Sequence, residues 1–143
     1  MTHPRRVLWI VWAALLASLL LYVALPQLAA PPVERWYAGE AAVANFVAAI
    51  FALAAAVGTF SIRETLARRH LRSGALDPAT PAGYARLRTA LLLMWVLCDG
   101  IGVIGLAIAL LSGTPSQAVP YALGAAALLL LHRPHEAFFA RPG

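Results

Sequence analysis

The sequence has little charge. Aspartate, glutamate, lysine and arginine together make up 12% of its 143 residues, lysine is absent, and hydrophobic residues make up 62%. A typical soluble domain is about 25% charged and about 45–50% apolar. Because a chain this short leaves much of its surface facing solvent, a core cannot hide the apolar excess. The composition therefore excludes an ordinary soluble domain and indicates a surface that faces lipid.

Cysteine is equally scarce. The single Cys98 excludes an intramolecular disulfide, and its apolar surroundings in the sequence indicate no particular redox compartment. All 11 basic residues are arginine, and the formal net charge is +5. Such a charge favours nucleic-acid binding only where the arginines share a soluble face, whereas here they flank apolar runs. We therefore predict no nucleic-acid partner, no metal and no other cofactor.

Four apolar runs meet the length criterion for a membrane-spanning helix, which is about 17–25 residues. They cover residues 7–25, 41–62, 89–111 and 115–131. Pro26 ends the first run, and Pro120 lies near the start of the fourth, where proline is tolerated. The predicted fold class is all-α: one integral membrane domain over residues 1–143, built as a bundle of four antiparallel transmembrane helices.

The first run has an alternative interpretation as a cleaved secretory signal. Arg5 and Arg6 precede it, and small residues follow Pro26. However, the apolar core of a signal peptide is only about 7–15 residues long, and this run is longer. A retained membrane span is therefore the better interpretation.

The distribution of arginine predicts the orientation. If four helices alternate across the bilayer, 10 of the 11 arginines fall on one side and only Arg35 on the other. Positive residues stay in the cytoplasm, so we predict that both termini face the cytoplasm of a bacterial inner membrane. Two aromatic belts agree with this orientation, an outer one of Trp36, Tyr37 and Tyr121 and an inner one of Trp9 and Trp12.

The hairpin between the second and third runs is predicted to extend beyond the membrane as a cytoplasmic tip, residues 63–88. Thr80 and Pro81 are typical of a helix start, so we expect helices over residues 40–73 and 81–112. The tip carries six arginines that could contact an acidic partner or anionic lipid headgroups: Arg63, Arg68, Arg69, Arg72, Arg86 and Arg88. The favoured alternative is a solvated helix face that only sets the orientation.

Two rows of small residues recur at alternating steps of three and four. The row in the third run is Cys98, Gly102, Gly105 and Ala109, and the row in the second run is Asn45, Ala48, Ala52 and Ala55. Small residues let membrane helices approach closely. We therefore predict that the second and third helices pack against each other along these two rows.

Asp99 is the one acidic residue inside an apolar run. At a rise of about 1.5 Å per residue it lies about 15 Å into the third run, near the middle of a hydrocarbon layer of about 30 Å. Ser18 of the first run lies at nearly the same depth, and Tyr22 lies one turn farther out. Ionisable residues at this depth are candidates for function, so the three residues form a candidate ion or proton site. The favoured alternative is a structural hydrogen bond, and a third is an interface with another subunit.

The segment from Asp99 to Gly105 and Leu106, with the aliphatic run that follows, resembles the carboxylate helix of rotary ATPase proteolipid (c or K) subunits. That family has a mid-membrane carboxylate followed six residues later by Gly-Leu. The resemblance implies that Asp99 would bind a transported H⁺ or Na⁺. The hairpin also matches in direction: a helix of small residues runs inward, an arginine-bearing cytoplasmic turn follows, and the carboxylate helix runs outward. The chain departs from the family in its alanine-rich inward helix and in its two further spans.

The sequence contains few other candidates for a metal site or a catalytic site. His132 and His135 are three residues apart, but Pro134 breaks the helix that would align them and Arg133 repels a metal. We see no nucleophile–base pair, so no enzyme or redox subunit is predicted. The predicted function is an accessory or scaffold component of a larger membrane assembly, in contact with lipids, other subunits or further copies of itself. The alternative is a proteolipid-like proton or cation carrier that uses Asp99.

Overall fold

The computed structural model describes residues 3–29, 40–68, 77 and 80–134. The described residues form four α-helices: α1 (His3–Ala29), α2 (Ala41–Ile62), α3 (Pro81–Ser112) and α4 (Ala118–Leu131). A π-helical turn, Arg63–Arg68, continues α2, and a 3-10 turn, Pro115–Gln117, precedes α4. This part of the chain contains no strand, so the all-α class is confirmed.

Three of the described helices are long and apolar enough to cross a membrane, over Arg6–Leu28, Ala42–Leu66 and Pro81–Ser112. The remaining apolar helix, Pro115–Leu131, is shorter. The structure is thus a helical bundle whose helices have the length and hydrophobicity found in multi-pass membrane proteins.

The first helix does not end at Pro26. α1 continues to Ala29, and Pro26 lies buried inside it. Proline has no N–H, so the carbonyl of Tyr22 receives no helical hydrogen bond from this position. Membrane helices tolerate such a proline because neighbouring groups compensate for the lost bond. The helix therefore continues about one turn beyond the predicted end of the span at residue 25.

The extension of α2 into the hairpin has π-helical rather than α-helical geometry. The Thr65 hydroxyl donates to the Ser61 carbonyl oxygen at 2.7 Å. In an α-helix that carbonyl would accept the backbone N–H of Thr65, so the side-chain bond competes with the regular ladder. The chain remains helical to Arg68, and residues 69–73 of the predicted helix lie outside the described residues.

The predicted bounds of the third helix are confirmed. The Thr80 side chain accepts the backbone N–H of Gly83 at 3.1 Å, and Pro81 occupies the first helical position. Gly113 ends the helix with φ 62°, a left-handed conformation that favours glycine. These two caps fix the ends of the longest helix in the described structure.

α3 is the central helix, because it packs against α1, α2 and α4, while α1 also packs against α4. Its buried side chains join residues of α1 and α4 in one apolar core. The core comprises Leu91, Met94, Trp95, Cys98 and Ile101 of α3, Leu8 and Leu19 of α1, and Ala125 and Leu129 of α4.

The small-residue row of α2 faces the bundle. Ala48 is buried, Ala52 and Ala55 are half-buried against the core, and Asn45 is half-buried one turn earlier. A Cβ atom built on Gly58 of the same helix would lie 3.4 Å from Leu97 Cδ1. Large side chains of α3 therefore pack against small ones of α2.

α2 and α3 pack against each other as predicted, but the two glycines in the small-residue row of α3 face α1 and α4, contrary to the prediction. A Cβ atom on Gly102 would lie 2.5 Å from Leu19 Cδ2 of α1, and one on Gly105 would lie 2.5 Å from Tyr121 Cβ of α4. Cys98 and Ala109 are buried in the same row. In both contacts a large side chain of the neighbouring helix fills the space opposite a glycine.

Candidate functional site

The structure brings together the three residues of the candidate ion or proton site. The Ser18 hydroxyl lies 2.9 Å from Asp99 Oδ1, and the Tyr22 hydroxyl donates to Asp99 Oδ2 at 3.2 Å. Ser18 and Tyr22 are four residues apart and therefore project from the same face of α1. Two successive turns of α1 thus hold both oxygens of one carboxyl in the middle of α3.

Gly102 makes this contact between helices possible. A Cβ atom at this position would lie 3.0 Å from Tyr22 Cδ2, in addition to its overlap with Leu19. Any larger residue would push the tyrosine ring away from α3. The glycine one turn after Asp99 therefore positions the phenol that binds the carboxyl.

Ser18 connects the carboxyl to its own helix. Ser18 Oγ lies 2.7 Å from the Leu15 carbonyl oxygen and 2.9 Å from Asp99 Oδ1. The single proton of the hydroxyl is shared between these two acceptors. The Asp99 carboxyl thus accepts from Ser18 at Oδ1 and from Tyr22 at Oδ2.

Asp99 lies at the edge of the bundle, with its side chain half-buried. Val96 and Val103, three residues before it and four after it, share its helix face and are 64% and 44% exposed. A Cβ atom built on Gly100 would meet no atom within 4 Å. The carboxyl is therefore enclosed by α1 on one side and open to the surroundings of the bundle on the other.

A second polar cluster holds the end of α4, and sequence reasoning missed it. The Trp12 indole N–H donates to the Leu129 carbonyl at 2.8 Å, and the Trp95 indole N–H donates to the His132 carbonyl at 2.9 Å. The last carbonyls of a helix lack intrahelical partners. The two tryptophans, one from α1 and one from α3, therefore cap α4. We assigned Trp12 only to an aromatic belt, and the buried Trp95 gave no separate signal.

His132 belongs to the same cluster. Its ring is buried against Phe60, its Nδ1 donates to the Leu128 carbonyl at 2.7 Å, and its Nε2 is buried without a hydrogen-bond partner among the described residues. Burial and the positive charge of Arg63 hold the pKa of His132 below its ordinary value of 6.5, against the opposing effect of the Leu128 carbonyl. His135, the other member of the predicted pair, lies outside the described residues.

The predicted arginine-rich surface is described only in part. Arg86 and Arg88 are exposed at the start of α3, and Arg63 is half-buried. The backbone of Arg68 ends the π-helical turn, whereas Arg69 and Arg72 lie outside the described residues. Within the described part of the chain, no group of three histidine, cysteine, aspartate or glutamate side chains could hold a metal ion.

Comparison with protein families, curated proteins and solved structures finds no match.

Proposed function

We propose that the protein is a multi-pass protein of the bacterial inner membrane, in which four antiparallel helices cross the bilayer and both termini face the cytoplasm. Two observations support the fourth crossing. The helix over Pro115–Leu131 falls at the lower limit of about 17 residues for a span, and two indole N–H groups satisfy carbonyls at its end. The uneven distribution of arginine supports the orientation.

Within that topology, the best-supported function is that of an accessory or scaffold component of a larger membrane assembly, without catalysis of its own. The observation that carries this proposal is an open furrow of about 660 Å³ between α1 and α4. The furrow is almost wholly apolar, and its walls include Ala17, Ala24, Ala122 and Ala126. Because small residues permit close approach in lipid, the furrow fits a transmembrane helix of another subunit or of a second copy.

Purification in a mild detergent followed by native mass measurement tests this proposal. Ala17→Trp and Ala24→Trp would fill the furrow from exposed positions, and Ala107→Trp on the exposed face of α3 is the matched control. We expect the wild type and the control to co-purify with foreign subunits or with a second copy of the chain. The two furrow variants should co-purify with neither. A single-chain particle for the wild type, or partners that all variants retain, would contradict the furrow as the docking site.

The second candidate function is a proton or cation carrier that acts through Asp99. The specific observation in its favour is that the carboxyl, held by Ser18 and Tyr22, lies on the same helix face as the exposed Val96 and Val103. A carboxyl at the edge of the bundle could exchange a proton or ion with a neighbouring subunit, as the resemblance to proteolipid subunits implies.

Asp99→Asn distinguishes the two functions. An amide can donate and accept in the place of a protonated carboxyl, but it cannot release a proton. A carrier would lose transport and keep its fold, whereas a scaffold would retain both its fold and its partners. Labelling by a carboxyl-directed carbodiimide adds a second readout, since protection of Asp99 by Na⁺ or by high pH supports the carrier. A native mass that corresponds to a uniform ring of many copies would also support the carrier.

A further inference from the structure

A second furrow opens at the end of the bundle opposite the arginine-bearing hairpin. It lies between the first turn of α2 and the last turn of α3 and has a volume of about 540 Å³, within the range of about 300–1,000 Å³ that is typical of ligand sites. Its apolar walls are Val43, Ala44, Ile108 and Leu111. Glu40, Ser112 and Gln117 form its polar mouth.

The polar groups at the mouth differ in what they offer to a ligand. Glu40 is exposed and offers an acceptor with a negative charge. Gln117 Oε1 already accepts from Asn45 Nδ2 at 3.2 Å, which leaves the Gln117 amide N–H groups as donors. Ser112 Oγ accepts the backbone N–H of Thr114 at 3.3 Å, which leaves its own proton to donate. The mouth therefore suits a ligand with both a cationic donor and an anionic acceptor beside an apolar chain.

We infer that this furrow binds one zwitterionic phospholipid with a primary ammonium headgroup, that is, a phosphatidylethanolamine. The ammonium pairs with the Glu40 carboxylate, a phosphoryl oxygen accepts from Ser112 and Gln117, and an acyl chain lies along Ile108 and Leu111. The position fits, because the mouth lies at the ends of membrane-spanning helices, where headgroups are found. This inference uses the proposed membrane location but neither of the proposed functions.

The headgroup chemistry favours this lipid over the other common phospholipids. A choline headgroup carries a cation but has no N–H to donate to Glu40, and a glycerol headgroup places its phosphate beside the carboxylate with no cation of its own. The furrow should therefore select among lipids that have identical acyl chains, which a merely apolar groove cannot do.

The test measures retained lipid by native mass spectrometry on the full-length protein. The delipidated protein in detergent is exposed to equal amounts of phosphatidylethanolamine, phosphatidylcholine or phosphatidylglycerol with the same palmitoyl and oleoyl chains. We expect one phosphatidylethanolamine to be retained about two- to fivefold more than either competitor, the ratio expected for one exposed charged hydrogen bond. Equal retention of the three lipids would overturn the inference.

Variants locate the site. Glu40→Gln should remove the preference, whereas Glu64→Gln, a second exposed acid at the other end of α2, should leave it unchanged. Leu111→Trp should lower the retention of phosphatidylethanolamine by filling the furrow, and Leu110→Trp, also exposed, is its control. A preference that survives both Glu40→Gln and Leu111→Trp would show that the lipid binds elsewhere and would overturn the assignment. Because all four positions are exposed, each variant is expected to fold.

Discussion

Gly105 offers the sharpest test of how the helices pack. A Cβ atom added there would lie 2.5 Å from Tyr121 Cβ, 3.0 Å from Tyr121 Cγ and 3.2 Å from the Ala118 carbonyl oxygen. None of these atoms is the end of a flexible side chain, so Gly105→Ala must move α4 away from α3. Overpacking of this kind costs about 1–3 kcal/mol, and we expect the free energy of unfolding to fall by that amount.

Gly102→Ala should cost less, because the nearest atom is Leu19 Cδ2, the mobile end of a side chain. The displacement of Tyr22 adds the loss of its bond to Asp99, and hydrogen bonds between membrane helices contribute about 0.6 kcal/mol on average. Gly100→Ala and Gly124→Ala are the matched controls, since a Cβ at either position meets nothing within 4 Å. In helices alanine is favoured over glycine by about 0.5–1 kcal/mol, so both controls should be neutral or stabilising.

Equilibrium unfolding in detergent micelles or bicelles measures these differences. The expected order of stability is Gly100→Ala and Gly124→Ala at the top, then the wild type, then Gly102→Ala, with Gly105→Ala at the bottom. The reasoning would be refuted if Gly105→Ala were as stable as Gly100→Ala, because α4 could then not approach α3 as closely as described.

Three further predictions concern the cap of α4 and the topology. Trp95→Phe keeps an aromatic ring but leaves the buried carbonyl of His132 without its donor, and it should lower the free energy of unfolding by about 1–3 kcal/mol. Because burial lowers the pKa of His132 in the folded state, the unfolded state binds the proton first as pH falls through 6.5. Stability in thermal scans should therefore be lost below that pH, and His132→Asn should remove this dependence. Reporter fusions at Gly74 and Gly143 should read cytoplasmic and one at Ala38 external, whereas an external signal at Gly143 would contradict four spans.

The depth of polar residues along the apolar runs predicted which side chains form the candidate site. Counting residues from the start of each run placed Ser18 and Tyr22 near the level of Asp99, and the structure brings the three side chains into contact. Such counting works because the rise per residue in a helix is fixed. The start of α3 was predictable for a similar reason, since Thr80 and Pro81 determine it locally.

The helix that faces each small-residue row was not predictable in the same way. The alternating spacing of Gly102 and Gly105 shows that one face of α3 packs closely, but it does not specify which helix lies opposite. That choice depends on large side chains far away in the sequence, such as Leu19 and Tyr121. The capping of α4 by the indoles of Trp12 and Trp95 was also not predictable. Both indoles donate to backbone carbonyls, which every residue has, so the sequence does not indicate which carbonyl is bound.

The Asp99 carboxyl joins α1 to α3 by accepting hydrogen bonds from Ser18 and Tyr22. Infrared difference spectra between the wild type and Asp99→Asn isolate the bands of this one carboxyl group. We expect these bands to shift in Ser18→Ala and in Tyr22→Phe, because each variant removes one hydrogen bond to the carboxyl. Bands that neither variant shifts would show that α1 and α3 are not joined at Asp99.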